Sequence, residues 1–290
     1  MGARNYYFLV AGLPDLTIDQ GKLQFGSLEM REYLQSQLHK KDYQYIEWLF
    51  LPHDNKNLLN LLEKNNQPWD SLGIYTEEEL ELAILEIVNP DKIITDEKSP
   101  VRSYMKEFIR SYNDETRIIP EKSAENELTE LYYLDALKLD NKFIAEWFAF
   151  DVDLKNMLVY NTALKFNIPF ENEITGNTRL AEVLRLKSGR SMDDIAEWLY
   201  FERFNQLADN GDIAGRERAI DHLRWTVLDE MNTFNYFSIE VIFSYMIKIM
   251  MIERWLKLDP ATGEQLFRKL LGDLQSGYEF PNEFSINDGK

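Results

Sequence analysis

The chain contains no cysteine. That excludes disulfides, thiolate metal sites and cysteine nucleophiles together, and it suits a cytosolic protein. Histidine is almost as scarce, with three in 290 residues. None of His39, His53 and His222 has a Glu three residues before it, and no His-Glu-x-x-His run occurs. Neither a di-iron helical bundle nor a zinc-protease helix is therefore spelled out. Glycines such as Gly12, Gly176 and Gly211 stand alone, so no phosphate-cradling loop is written either.

Basic residues are in the minority, 32 against 50 acids, for a formal net charge of −18. Nucleic acids and anionic bilayers attract clustered cations, so this balance opposes direct binding to either. Long apolar runs are missing too. Residues 239–252 are too short to span a bilayer and include Glu240 and Lys248. Residues 6–13 lack a cleavage signature and run into Pro14-Asp15, which fits a buried first segment better than a signal peptide. These absences predict a soluble chain without a metal, a cofactor or a catalytic centre of its own.

What is present is helical period. With 44% hydrophobic residues the chain can bury a large core. Leu28, Met30, Leu34 and Leu38 mark one helix, closed by a basic turn at His39-Lys40-Lys41. Thr76 with Glu79 forms a capping box that opens another, and Asn89-Pro90 ends it. Ser99-Pro100 reads as the cap and first turn of a helix through Tyr104, Phe108 and Tyr112. Residues 124–167 lack glycine and proline, and a break is expected near Leu139-Asp140-Asn141. Ser191 with Asp194 opens a helix towards Ala208. Residues 211–215 form a turn before a helix over residues 216–231. Ser238 caps an apolar helix through Leu258, and Thr262 with Gln265 caps a last one to Leu274. Strand signals are confined to residues 6–10 and Ile93-Ile94. The predicted fold class is all-α.

Asp54-Asn55-Lys56-Asn57-Leu58-Leu59 reads Asp-x-x-Asn-apolar-apolar, and Asp153-Leu154-Lys155-Asn156-Met157-Leu158 reads the same about a hundred residues later. Trp48-Leu49-Phe50 precedes the first, Trp147-Phe148-Ala149-Phe150 the second. Asn65-Asn66-Gln67-Pro68-Trp69 follows one and Asn167-Ile168-Pro169-Phe170 the other. Another hundred residues on, Glu253 is followed by Trp255-Leu256, with leucine where the asparagine would stand. Acid and amide at i and i+3 share a helix face at the margin of the core. The economical reading is three helical units, over residues 1–95, 96–190 and 191–290. Asp54, Asn57, Asp153, Asn156 and Glu253 are then candidate contacts, either between repeats or with a partner.

This pattern resembles the C-type subunit of archaeal and bacterial V/A-type ATPases, whose eukaryotic counterpart is the d-type subunit. The shared features are the two acid-x-x-Asn helices and an apolar helix carrying Tyr245 and Glu253. The opening Tyr6-Tyr7-Phe8-Leu9-Val10-Ala11-Gly12-Leu13-Pro14-Asp15-Leu16 is similar to an uncharacterised bacterial family encoded among V/A-type ATPase subunits and often labelled as the C-type one. The resemblance implies three units arranged as a funnel. It implies a non-catalytic central-stalk rotor component that couples the membrane proteolipid ring to the rotating shaft during ion transport. The partners would be the shaft subunits and the ring. The location would be the cytoplasmic face of the membrane, reached through the complex, and the isolated chain would be a monomer.

Two rival readings come from other classes. A free helical-repeat scaffold or regulator would need no ATPase partner. A helical metal-dependent phosphohydrolase would use His53-Asp54, with His39 as a partner ligand; a two-residue match carries little weight, and the plainer reading is a helix-start His53 beside an Asp54 that serves as a cap or in an inter-helix ion pair. Glu77-Glu78-Glu79 and Asp193-Asp194 fit solvated helix N-termini. Trp147, Trp198, Trp225 and Trp255 fit a core better than a ligand-stacking platform. The tail Tyr278-Glu279-Phe280-Pro281-Asn282-Glu283-Phe284 could fold back or serve as a docking strand.

Overall fold

A computed structural model of the chain describes residues 4–89, 91, 99–114, 118–119, 121–186, 192–208 and 213–258. Among these residues all regular structure is helical and no strand forms. The helices are α1 (Tyr7–Ala11), α2 (Ser27–Gln37), α3 (Lys40–Trp48), α4 (Leu51–Glu63), α5 (Glu77–Val88), α6 (Ser103–Asn113) and α7 (Ala124–Ala136). They continue with α8 (Lys142–Phe166), α9 (Arg179–Arg185), α10 (Met192–Ala196), α11 (Phe201–Ala208), α12 (Ile213–Met231) and α13 (Ile239–Leu258). None of the described helices is long and apolar enough to cross a membrane.

Local chemistry accounts for most boundaries. Thr76 and Glu79 make the reciprocal capping box that starts α5, and Asn89 closes it. The break near residue 140 separates α7 from α8, where the Asn141 side chain caps the new helix. Pro52 sits in the first turn of α4, where a missing N–H costs nothing.

Several expectations need correcting. Residues 7–11 are helical, because an isolated apolar segment with no partner strand satisfies its backbone only internally. His39 does not end a helix. Its ring accepts the Lys41 N–H and caps α3, so the basic turn opens a helix. Ser99-Pro100 lies ahead of α6, whose N-cap is Arg102; the Ser99 hydroxyl instead donates to the Glu79 carbonyl. The helix expected from Ser191 to Ala208 is two, α10 and α11, interrupted at residues 197–200. Ser238 directly precedes α13, but its buried hydroxyl has no partner. Ser191, Gly211, Ile93-Ile94, the helix capped by Thr262 and the aromatic tail all lie outside the described residues.

The first and second thirds meet through α4 and α7. Helix α13 packs on α2 and α3 of the first third, on α8 of the second and on α12 of its own. Each third therefore touches both others. At their junction Trp48, Tyr104, Tyr132, Phe148 and Phe243 form one aromatic cluster, with neighbouring ring centroids 5.7–6.4 Å apart. Tilted and edge-on ring pairs add cohesion beyond their buried area, which stiffens the junction. The Tyr132 hydroxyl donates to the Trp48 carbonyl at 2.9 Å and pins two thirds together there.

Candidate functional site

The Asp-x-x-Asn residues fold inward. Asp54, Asn57 and Asn156 are fully buried and Asp153 nearly so. On α4, the Asn57 amide donates to the Asp70 carbonyl and accepts the Asp70 N–H, both at 2.9 Å. On α8, the Asn156 amide does the same to Thr175, both at 2.8 Å. One side chain thus satisfies both backbone groups of a loop residue, as a strand partner would. The acids grip the same loops a few residues further on. Asp54 accepts the N–H groups of Ile74 and Tyr75 at 2.9 and 3.0 Å, just ahead of the α5 cap Thr76. Asp153 accepts the hydroxyl of Thr178, which caps α9.

An arginine completes each clamp. Arg31 donates to the carbonyls of Leu72 and Gly73, and Arg185 to those of Ile174 and Gly176. The second loop is tied further, since buried Glu130 accepts the Gly176 N–H at 2.8 Å and pairs with Lys122 and Arg185. Each loop also needs its glycine. A Cβ on Gly73 would lie 2.4 Å from an Asp54 oxygen, and Gly176 has φ +80°. Helices α4 and α8 end alike, in left-handed residues Lys64 and Asn167.

Glu253 on α13 behaves differently. It accepts the hydroxyl of Ser27, the first residue of α2, and packs so closely that a Cβ on Gly26 would lie 3.1 Å from its other oxygen. The third acid therefore reaches back to the first third, whereas Asp54 and Asp153 hold loops within their own. The structure does not bring the five candidates together in one place.

Burial raises the pKa of Asp54 to about 6, against the opposing pull of its two backbone N–H bonds. Burial likewise raises Asp153 to about 6, against the Thr178 hydroxyl. His53 and Asp54 diverge: the His53 ring meets Asp70 at 2.9 Å while Asp54 faces the loop backbone. Among the described residues no group of three or more His, Asp or Glu side chains could hold a metal ion. Of the tryptophans, Trp147 is core, while Trp225 and Trp255 are half-buried under the cations of Lys248, Arg218 and Arg254.

The three thirds do share one cavity, a cleft of about 610 Å³. Ser27, Leu49, Pro52, His53 and Leu72 line it from the first third, Tyr132, Tyr133, Trp147, Phe148 and Asp151 from the second. Asp221, Arg224 and the end of α13, including Met250, Met251, Glu253, Arg254 and Lys257, complete it. A chain of polar contacts runs along this wall. The Tyr133 hydroxyl donates to Asp151 at 2.7 Å, Arg224 bridges Asp151 at 3.4 Å and Asp221 at 3.0 Å, and Asp221 also accepts from Arg254 and, at 2.8 Å, from the Trp255 indole. Burial works against the Arg224 charge, but Asp151 and Asp221 more than offset it and hold its pKa above the ordinary value. Asp151, Asp221 and Arg224 did not stand out in the sequence. The only trace was an acid–base pair at i and i+3, Asp221 and Arg224, a spacing that surface helices use freely.

Residues 3–278 match the family described as "Protein of unknown function (DUF2764)". The chain belongs to that family. No curated protein and no solved structure matches it.

Proposed function

We infer that the chain is a non-catalytic central-stalk component of a V/A-type rotary ATPase, which receives the end of the shaft in the cleft where its three thirds meet. The cleft carries this reading. Its lining combines aromatic and aliphatic side chains with the adaptable Met250 and Met251, and among its charged groups Asp151, Arg224, Asp221 and Arg254 are already paired with one another. Such a surface suits a protein partner: adaptable apolar contacts at the centre and a polar rim that sets orientation. The resemblance of the acid-x-x-Asn helices and of the opening segment to V/A-type proteins supplies the partner's identity. In this role Asp54, Asn57, Asp153 and Asn156 stiffen the body that carries torque, and no bond is made or broken.

Membrane attachment would be on the cytoplasmic face through the proteolipid ring. The acidic surface would speed docking onto basic patches of a partner. The test is co-elution of the full chain with co-expressed shaft subunits of its own organism, at low and moderate salt. A one-to-one complex that Met250→Glu weakens about tenfold or more, as loss of a central contact does, supports the reading. No complex under either condition, even with the ring supplied, overturns it and leaves a helical scaffold for another partner.

A further inference from the structure

The two acid-x-x-Asn helices share a third residue type. Lys56 on α4 and Lys155 on α8 hold the same place in the two segments, directly ahead of Asn57 and Asn156. The acids and amides turn to their own loops, but both lysines line one pocket of about 440 Å³ between α4, α7 and α8. Neither lysine makes a hydrogen bond or an ion pair with any described residue. Acids outnumber bases by 50 to 32 in this chain, so two lysines left without an ion pair at one pocket point to a ligand of opposite charge.

Further donors stand open in the same wall. Asn55 is buried, and its Oδ1 accepts the Tyr104 hydroxyl at 2.8 Å. That bond fixes the amide and leaves its NH2 at the pocket with no partner among the described residues. The Thr129 hydroxyl lines the pocket and is likewise unpaired among them. Lys155 is half-buried, with its ammonium 5.9 Å from the Tyr133 ring, the outer limit of attraction to a π face. Burial, and then the Lys122 charge, lower its pKa against the pull of Asp151, Glu125 and Glu130. Two of those acids are committed elsewhere, Asp151 to Tyr133 and Arg224, and Glu130 to Lys122, Arg185 and the Gly176 N–H.

We propose that this pocket binds a small organic monocarboxylate, with its carboxylate on Lys155 and the Asn55 amide and its apolar body against Leu59, Tyr132 and Tyr133. Glu63 and Glu125 also line the pocket, both exposed, and they repel a second negative charge. That disfavours a phosphate ester or polyphosphate. The apolar part of the wall gives a bare inorganic anion nothing to hold. The volume suits a small molecule, whose sites span roughly 300–1,000 Å³. Pro52, Tyr132 and Tyr133 line both this pocket and the cleft, so the ligand would sit directly behind the cleft wall.

Titration of the full chain with phenylacetate, read by saturation-transfer NMR, should show saturable binding. Lys155→Met should raise the dissociation constant about tenfold or more, the effect expected for one lost hydrogen bond to a charged group. It should not lower the thermal melt, because the ammonium has no hydrogen bond or ion pair to lose. Lys56→Met, at an exposed position, should raise the constant only about threefold, since solvent screens that charge. Lys142→Met, at an exposed position on α8, should bind like the parent. Absence of saturable binding by the parent, or binding by Lys155→Met equal to the parent's, overturns the proposal. If Lys155→Met lowers the melt, Lys56→Met decides, and unchanged binding there overturns it. Displacement of phenylacetate by an equal concentration of inorganic phosphate also overturns it and assigns the pocket to anions in general. No ATPase subunit enters the titration, so the result does not depend on the stalk reading.

Discussion

The loop after α4 and the loop after α8 are held by the same amide and by different acid chemistry. Asn57 and Asn156 each pair both backbone groups of one loop residue, with nearly equal distances. Asp54 takes two backbone N–H groups, while Asp153 takes one threonine hydroxyl and leaves Glu130, Lys122 and Arg185 to hold the rest of its loop. The asparagine position is thus fixed by backbone geometry. The acid position answers to whatever donor the loop offers. Glu253 extends the point: without an adjacent asparagine it clamps no loop of its own and instead meets Ser27 at the start of α2.

The largest effect should come from the asparagines. Asn156→Ala leaves the buried N–H and carbonyl of Thr175 unpaired and should cost about 3 kcal/mol or more, since each orphaned buried group costs roughly 1–3 kcal/mol. Asn57→Ala should cost less, because Asp70 is only half-buried and water can replace the amide. Urea unfolding of the two variants checks this. Equal losses would mean that the burial difference between the loops has no energetic weight.

The acids sharpen the comparison through pH. Asp54 and Asp153 have folded pKa values of about 6, above the unfolded 3.8. Between those values the folded state holds more protons than the unfolded chain, so each acid's contribution falls as pH rises from about 4 to about 6, and is level above that. The fall is on the order of 3 kcal/mol per acid. Asp54→Asn should therefore be more costly near pH 4 than at pH 7, and should flatten this part of the stability profile. An unchanged profile would show that Asp54 titrates in its ordinary range.

At neutral pH the two acids should separate. An Asn at position 54 must turn its NH2 towards a backbone N–H, so Asp54→Asn should cost about 2 kcal/mol. At position 153 the amide oxygen still accepts the Thr178 hydroxyl, so Asp153→Asn should cost under about 1 kcal/mol. Reversal of that order would break the assignment of donors to the two acids. The smallest effect should be at Lys142, whose pair with Glu146 is 3.6 Å long and well exposed. Lys142→Ala should change stability by less than about 0.5 kcal/mol.

The helical class, the capping box at Thr76, the break before Asn141 and the positions of the acid-x-x-Asn pairs were legible in the sequence, because helix period and caps depend on residues a few positions apart. The short helix over residues 7–11 was not, since an apolar run of that length fits strand or helix until its neighbours are known. His39 is ambiguous for a related reason: a basic turn suits the end of one helix and, through its ring nitrogen, the start of the next. Tertiary structure alone decided what the acid-x-x-Asn faces hold, that Glu253 reaches a residue 226 positions earlier, and that Asp151, Asp221 and Arg224 line one cleft. Local sequence sets the pattern of hydrogen-bonding capacity along each helix. Which distant groups use that capacity is settled only when the helices pack and water is excluded from between them.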